Sequence, residues 1–115
     1  MVNVSGNKIV MTRGDTLLVE VSIMYNGEPY TPLPGDRVRF ALKRDILNSS
    51  RTDYADDQPL ILKEIPVDTM ILELEPEDTK PLAFATYAYD VEITFTDGRV
   101  YTFISDKLTL TKEVH

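Results

Sequence analysis

Apolar and polar residues alternate along most of this chain. In residues 16–25, TLLVEVSIMY, Leu17, Val19, Val21 and Ile23 share one side, with Thr16, Leu18, Glu20, Ser22 and Met24 on the other. Residues 37–44, RVRFALKR, set Val38, Phe40 and Leu42 against Arg37, Arg39, Ala41 and Lys43. Residues 86–96 oppose Tyr87, Tyr89, Val91, Ile93 and Phe95 to Thr86, Ala88, Asp90, Glu92, Thr94 and Thr96. A period of two is what a strand needs when one face meets a core and the other meets water. Two shorter runs, LILKEI and MILELE, read the same way on either side of KEIPVDT.

Turn signals fall between these runs: Asn26-Gly27, then PLPGD at 32–36, then Asp97-Gly98, the strongest hairpin signal in the chain. A two-residue turn at Asp97-Gly98 sets Phe95 opposite Val100, Ile93 opposite Thr102 and Val91 opposite Ile104 on the inner face. The same register sends Tyr101 and Phe103 outward beside Thr94 and Glu92, which makes them candidate interface residues. Two alternatives stay open for this pair: the 45–59 segment covers them, or a bulge shifts the register. Leu18, Met24 and Ile71 also fall on the polar side of their strands. Two segments resist a strand reading. Residues 45–59 are polar and suit a long loop, and 76–83, PEDTKPLA, suit one helical turn opened by Pro76 with Glu77 and Asp78 behind it. No repeat or linker interrupts the pattern, so residues 1–115 are expected to form a single all-β domain of about seven strands. A two-sheet sandwich is favoured over a barrel, which a chain this short would close only with difficulty around a ligand.

Charge and chemistry narrow the function. Nineteen acidic against 12 basic residues give a net charge of −7, a surface that repels a phosphate backbone. The basic residues of RVRFALKR read as the solvated face of a strand, so no nucleic acid is expected, and no apolar run reaches the roughly 20 residues of a membrane helix. The absence of cysteine excludes disulfides, thiolate metal sites and cysteine nucleophiles. The single histidine is His115, a position ill suited to a catalytic dyad. The acids Glu20, Glu73, Glu75 and Glu92 take outward strand positions. Asp53, Asp56 and Asp57 form an acidic cluster without the spacing or glycine of a calcium loop, and are read as solvated. No catalytic residue, cofactor or metal site is expected. The first residues lack a basic region followed by an apolar one, so synthesis without a secretion signal is expected.

Arg13-Gly14-Asp15 spells a tripeptide that integrins read, but it lies between KIVMT and the long strand that begins at Thr16. Gly14 supplies a positive φ and Asp15 a turn hydrogen bond, so the motif is read as a change of chain direction.

Larger blocks carry a resemblance. PEDTKPLAFATYAYDVEITFTDGRVYTF places an acidic turn and Leu82 ahead of Tyr87, an arrangement similar to the corner of immunoglobulin-like domains, where a tyrosine folds back on the preceding turn. Over residues 7–114 the ordered blocks RGDT, NGEPYTPLPGDRVRFALKR, LILKEI, MILELEPEDTKPL, YAYDVEI, TDGRVYTF and KLTLTKEV resemble phage-encoded Ig-like domains. That family includes the N-terminal domain of lactococcal phage baseplate upper proteins and many small prophage virion proteins. Phe84-Ala85 departs from it, since such domains often carry Pro-Gly there. The resemblance implies an immunoglobulin-like antiparallel β-sandwich with a short helical turn near 76–82. It further implies a non-enzymatic virion protein of the baseplate, tail or neck, assembled in the bacterial cytoplasm. Such a protein acts by self-association, a homo-oligomer being allowed, and by docking on other phage structural proteins. The family is recognised by fold-determining positions, so no site residue carries over. The competing reading is an Ig-like carbohydrate- or protein-binding module of adhesin type. Its contact surface would be loops 26–36 and 45–59, with Tyr25, Tyr30 and Tyr54 available to stack on sugars.

Overall fold

A computed structural model describes the main chain of residues 2–5, and residues 7–44 and 59–112 in full. The described chain is all-β with one short helix. Ten strands appear in order: β1 (Val2–Ser5), β2 (Lys8–Thr12), β3 (Leu17–Glu20), β4 (Ile23–Tyr25), β5 (Glu28–Tyr30), β6 (Arg37–Arg44), β7 (Ile61–Ile65), β8 (Ile71–Leu74), β9 (Thr86–Thr94) and β10 (Val100–Thr111), with α1 (Pro76–Thr79) between β8 and β9. Six of them form one sheet in the order β1-β2-β10-β9-β6-β7, while β3-β8 and β4-β5 are separate two-stranded ribbons.

The alternation dictates which faces are dry. Val38, Phe40 and Leu42 of β6, Tyr87, Tyr89, Val91 and Ile93 of β9, and Leu108 and Leu110 of β10 are all buried. They join Leu17, Ile23, Leu72 and Leu74 from the ribbons, and Val21 from the break between β3 and β4, in one apolar cluster. The ribbons therefore lie over the inner face of the large sheet. Burying side chains of this size stabilises the fold by roughly 1.5–3 kcal/mol each, an upper estimate because the unfolded chain already buries part of that surface.

Three features differ from the expected antiparallel seven-strand sandwich. The run 16–25 keeps its inward face but breaks at Val21 and Ser22, so it serves two ribbons and the second layer is not one continuous sheet. The edge is also not wholly antiparallel: β2 runs parallel to β10, Ile9 through Thr12 pairing with Leu108 through Thr111. Alternation does not encode strand direction, so the pattern cannot announce this pairing. Third, the β9–β10 hairpin has a longer loop than expected, and its consequences belong with the site below.

Candidate functional site

The end of the molecule built by the β4–β5 and β9–β10 hairpins gathers four aromatic residues, Tyr25, Tyr30, Phe95 and Tyr101. Asn26 and Gly27 both adopt positive φ, 54° and 79°, and Tyr25 pairs with Glu28 across them. That is the tight primed turn an Asn-Gly pair favours. It presents Tyr25 and Tyr30 toward Phe95 and Tyr101. The Tyr30 and Phe95 rings stack at 5.5 Å with an 8° interplanar angle, and Tyr25 meets Tyr101 edge-on at 5.2 Å. The Arg99 guanidinium lies 5.4 Å from the Phe95 ring. Around the rings, Met24 and Val100 are more than half exposed and Tyr101 is 37% exposed.

Asp36 holds this end together. It is buried, and one carboxylate oxygen accepts a 2.6 Å bond from the Tyr30 hydroxyl and a 2.9 Å bond from the Leu33 amide. The Thr96 main chain donates to the same carboxylate. The Tyr30 bond, helped by the two amides, holds the Asp36 carboxyl below its usual range. The same bond, with burial and the Asp36 charge behind it, pushes the Tyr30 hydroxyl up to about 12. Gly35 beside it has φ +97°, and a Cβ there would sit 2.8 Å from Thr96 Cγ2. The PLPGD turn thus grips the β9–β10 loop.

The hairpin beside it differs from the expected two-residue turn. Phe95 and Arg99 close the loop by main-chain hydrogen bonding, which leaves Thr96, Asp97 and Gly98 as a three-residue loop with Gly98 at φ +93°. Asp97 pins its far side, accepting from the Arg99 amide at 3.0 Å and from Arg99 Nε at 2.8 Å. Val100 therefore pairs with Thr94 and Tyr101 with Ile93, one place away from the expected register. A bulge at Phe103 absorbs the difference, and Ile104 meets Val91 as expected. The correction changes the two candidate interface residues. Tyr101 lies on the inner-face side with Ile93, rising from the end of the core toward Tyr25. Phe103 is half-buried against the core and lines a cleft of about 360 Å³ with Val19, Met24, Leu72 and Tyr89. The residues left outward are Thr102, opposite Glu92, and Val100, opposite Thr94.

At the other end the Tyr87 hydroxyl donates to the Ala83 carbonyl at 2.7 Å, and Leu82 packs against the core. The Arg13-Gly14-Asp15 turn is fastened to the same region. Gly14, at φ 89°, donates its amide to the buried Thr79 hydroxyl at 2.8 Å, and the Asp15 amide bonds the Thr12 carbonyl. Arg13 reaches the Leu82 carbonyl at 3.2 Å, and its guanidinium stands 4.2 Å from the centre of the Phe84 ring. Arg13 thus covers Phe84, a pairing no local signal announces.

Among the described residues no group of three His, Cys, Asp or Glu side chains could hold a metal ion, and no helix is long and apolar enough to cross a membrane. Asp53, Asp56, Asp57, Tyr54 and His115 lie outside the described residues. Glu20, Glu73 and Glu75 are exposed, while Glu92 is half-buried opposite Arg39. Asp36 carried no signal beyond its place after Pro34-Gly35. Comparison with protein-family models, with curated proteins and with solved structures finds no match to this chain.

Proposed function

We propose that this chain is a non-enzymatic, immunoglobulin-like structural module of a phage or prophage particle, in the baseplate, tail or neck, working by docking on neighbouring virion proteins. The observation that carries the reading is the Tyr87 corner. The bond to Ala83 forms where a short helical turn leads into a central strand, the geometry characteristic of the E–F corner in immunoglobulin-like domains. The large sheet with β3–β8 packed over it is consistent with the same family. A docking role draws support from the aromatic end, where Met24, Val100 and Tyr101 leave apolar surface exposed at the rim of a rigid ring cluster.

The test uses Val100→Ser with Tyr101→Ser, because Phe103→Ser would disturb the core instead. Light scattering on the full chain, and co-assembly with the products of genes flanking its own, are the readouts. Loss of assembly with the native far-UV spectrum kept is expected, at a melting temperature lowered only by the lost Tyr25–Tyr101 ring contact. Unchanged assembly by the double variant, or flanking genes without tail or capsid character, would overturn the reading. Binding on a glycan array that disappears with Tyr101→Ser would establish the adhesin-type alternative instead.

A further inference from the structure

We propose that the outer face of the β3–β8 ribbon docks a basic partner polypeptide, one whose contact surface places lysine or arginine around an apolar centre. The ladder sets Leu18 directly opposite Glu73 and Glu20 directly opposite Ile71, so all four share the face turned away from the core. Leu18 is 64% exposed and Ile71 38%, an uncommon exposure for two adjacent aliphatic residues on a four-residue ribbon. They are the residues that violate the alternation of their strands, and their side chains lie outside the core cluster. Together with Thr69 and Pro66 they floor a depression of about 440 Å³ whose walls are Lys63, Glu64, Glu73 and Glu75.

The charge around that floor selects the occupant. Lys63 is engaged by Asp78 at 3.0 Å, and Glu64 by Arg37 at 2.8 Å. Glu20, Glu73 and Glu75 remain as carboxylates around Leu18 and Ile71 with no ion pair among the described residues. Glu73 hydrogen-bonds Glu75 and lies close enough to push its carboxyl upward, the sign of crowded negative charge. A second copy of this face would meet like charge, so a two-fold contact through it is disfavoured. An acidic or neutral partner would leave the crowding unrelieved. A partner carrying cations at the rim and aliphatic or aromatic side chains at the centre satisfies both features at once.

The experiment uses the full chain and two synthetic probes: a capped heptapeptide alternating lysine with leucine, and the same peptide with serine for leucine. Binding is followed by fluorescence anisotropy at low and physiological salt. The lysine–leucine probe is expected to bind more tightly than the lysine–serine probe, and Leu18→Ser is expected to erase the difference. Glu73→Lys is expected to weaken binding about tenfold. Glu28→Lys, an equal charge change at an exposed residue away from the depression, is expected to change it less than about twofold. Equal weakening by Glu73→Lys and Glu28→Lys would reduce the effect to net charge and overturn the proposal. So would equal affinity for the two probes, or no binding to either. Glu73→Gln, which keeps the side-chain shape, serves if Glu73→Lys unfolds. Because the ribbon face lies apart from Val100 and Tyr101, failure here leaves the docking role of the aromatic end standing.

Discussion

Replacing Asp36 with alanine tests whether one buried carboxylate fastens the aromatic end of the fold. The substitution removes the acceptor for three donors at once: the Tyr30 hydroxyl, the Leu33 amide and the Thr96 main chain. Leu33 and Thr96 are exposed, so water can re-hydrate their amides, and each loss is set at about 1 kcal/mol, below the range for a bond to a charged group. Tyr30 is half-buried between Tyr25 and Phe95, so its orphaned hydroxyl is worth about 1.5 kcal/mol. The sum is about 3–4 kcal/mol, or roughly 12–16 °C in melting temperature for a domain of this size. Tyr30→Phe keeps the two amide bonds and loses only the last, so its cost is about 1.5 kcal/mol. Urea unfolding followed by circular dichroism measures both, and the double variant separates the Tyr30–Asp36 coupling from the rest. A second reading comes from pH. The folded-state carboxyl lies below its ordinary value of 3.8, so its contribution is present above that value and fades as pH falls through the depressed one. Asp36→Ala must therefore flatten the acid limb of the stability curve. A loss of no more than about 1.5 kcal/mol, equal to that of Tyr30→Phe, would refute the view that Asp36 gathers three segments.

Further consequences can be measured on the same footing. Tyr30 titrates near 12 when folded, so stability is fully present below its ordinary 10 and falls between pH 10 and 12. Tyr30→Phe removes some of that fall, and Tyr89, also raised to about 12 by burial and Asp106, supplies the remainder. Thr79→Val strands the Gly14 amide against a fully buried side chain and should cost about 1–3 kcal/mol, with faster hydrogen exchange at Gly14 as the local readout. Gly35→Ala combines a positive φ with a contact to Thr96 that is too short, whereas Gly98→Ala meets open space. The first should therefore lower the urea midpoint more than the second, whose cost is about 1 kcal/mol. Tyr87→Phe deletes one bond to Ala83 and should cost about 1–1.5 kcal/mol without changing the far-UV spectrum.

How far the fold was legible follows from where its determinants lie. The inward faces of β3, β4, β6 and β9 were readable because alternation depends on the strand alone, whatever its partner. Asn26-Gly27 was readable for the same reason, its two positive φ values being a property of the dipeptide. Asp97-Gly98 carries the same signal yet closes a longer loop. Asp36, 60 places earlier in the sequence, accepts a bond from the Thr96 main chain inside that loop. Local turn chemistry cannot announce that, and the longer loop moved Tyr101 and Phe103 to faces other than those expected. The parallel β2–β10 pairing and the hold of Arg13 on Phe84 are likewise long-range. Leu18 and Ile71 behaved oppositely: their misplacement in the alternation was visible at once, and they lie exposed where the pattern put them.

The direction of β2 has a mechanical consequence. Tension applied before Val2 and after Thr111 reaches two kinds of ladder. In the antiparallel β1–β2 ribbon Val2 pairs with Met11 and Ser5 with Lys8, so load arrives at the open end and the bonds break in succession, like a zip. Once β1 has peeled away, the pull passes to the start of β2 and the end of β10. These strands run the same way through their four paired positions. Pulling them apart along their length strains all the bonds between Ile9–Thr12 and Leu108–Thr111 together. A chain that gives way easily over its first residues would then resist abruptly once the load reaches β2 and β10.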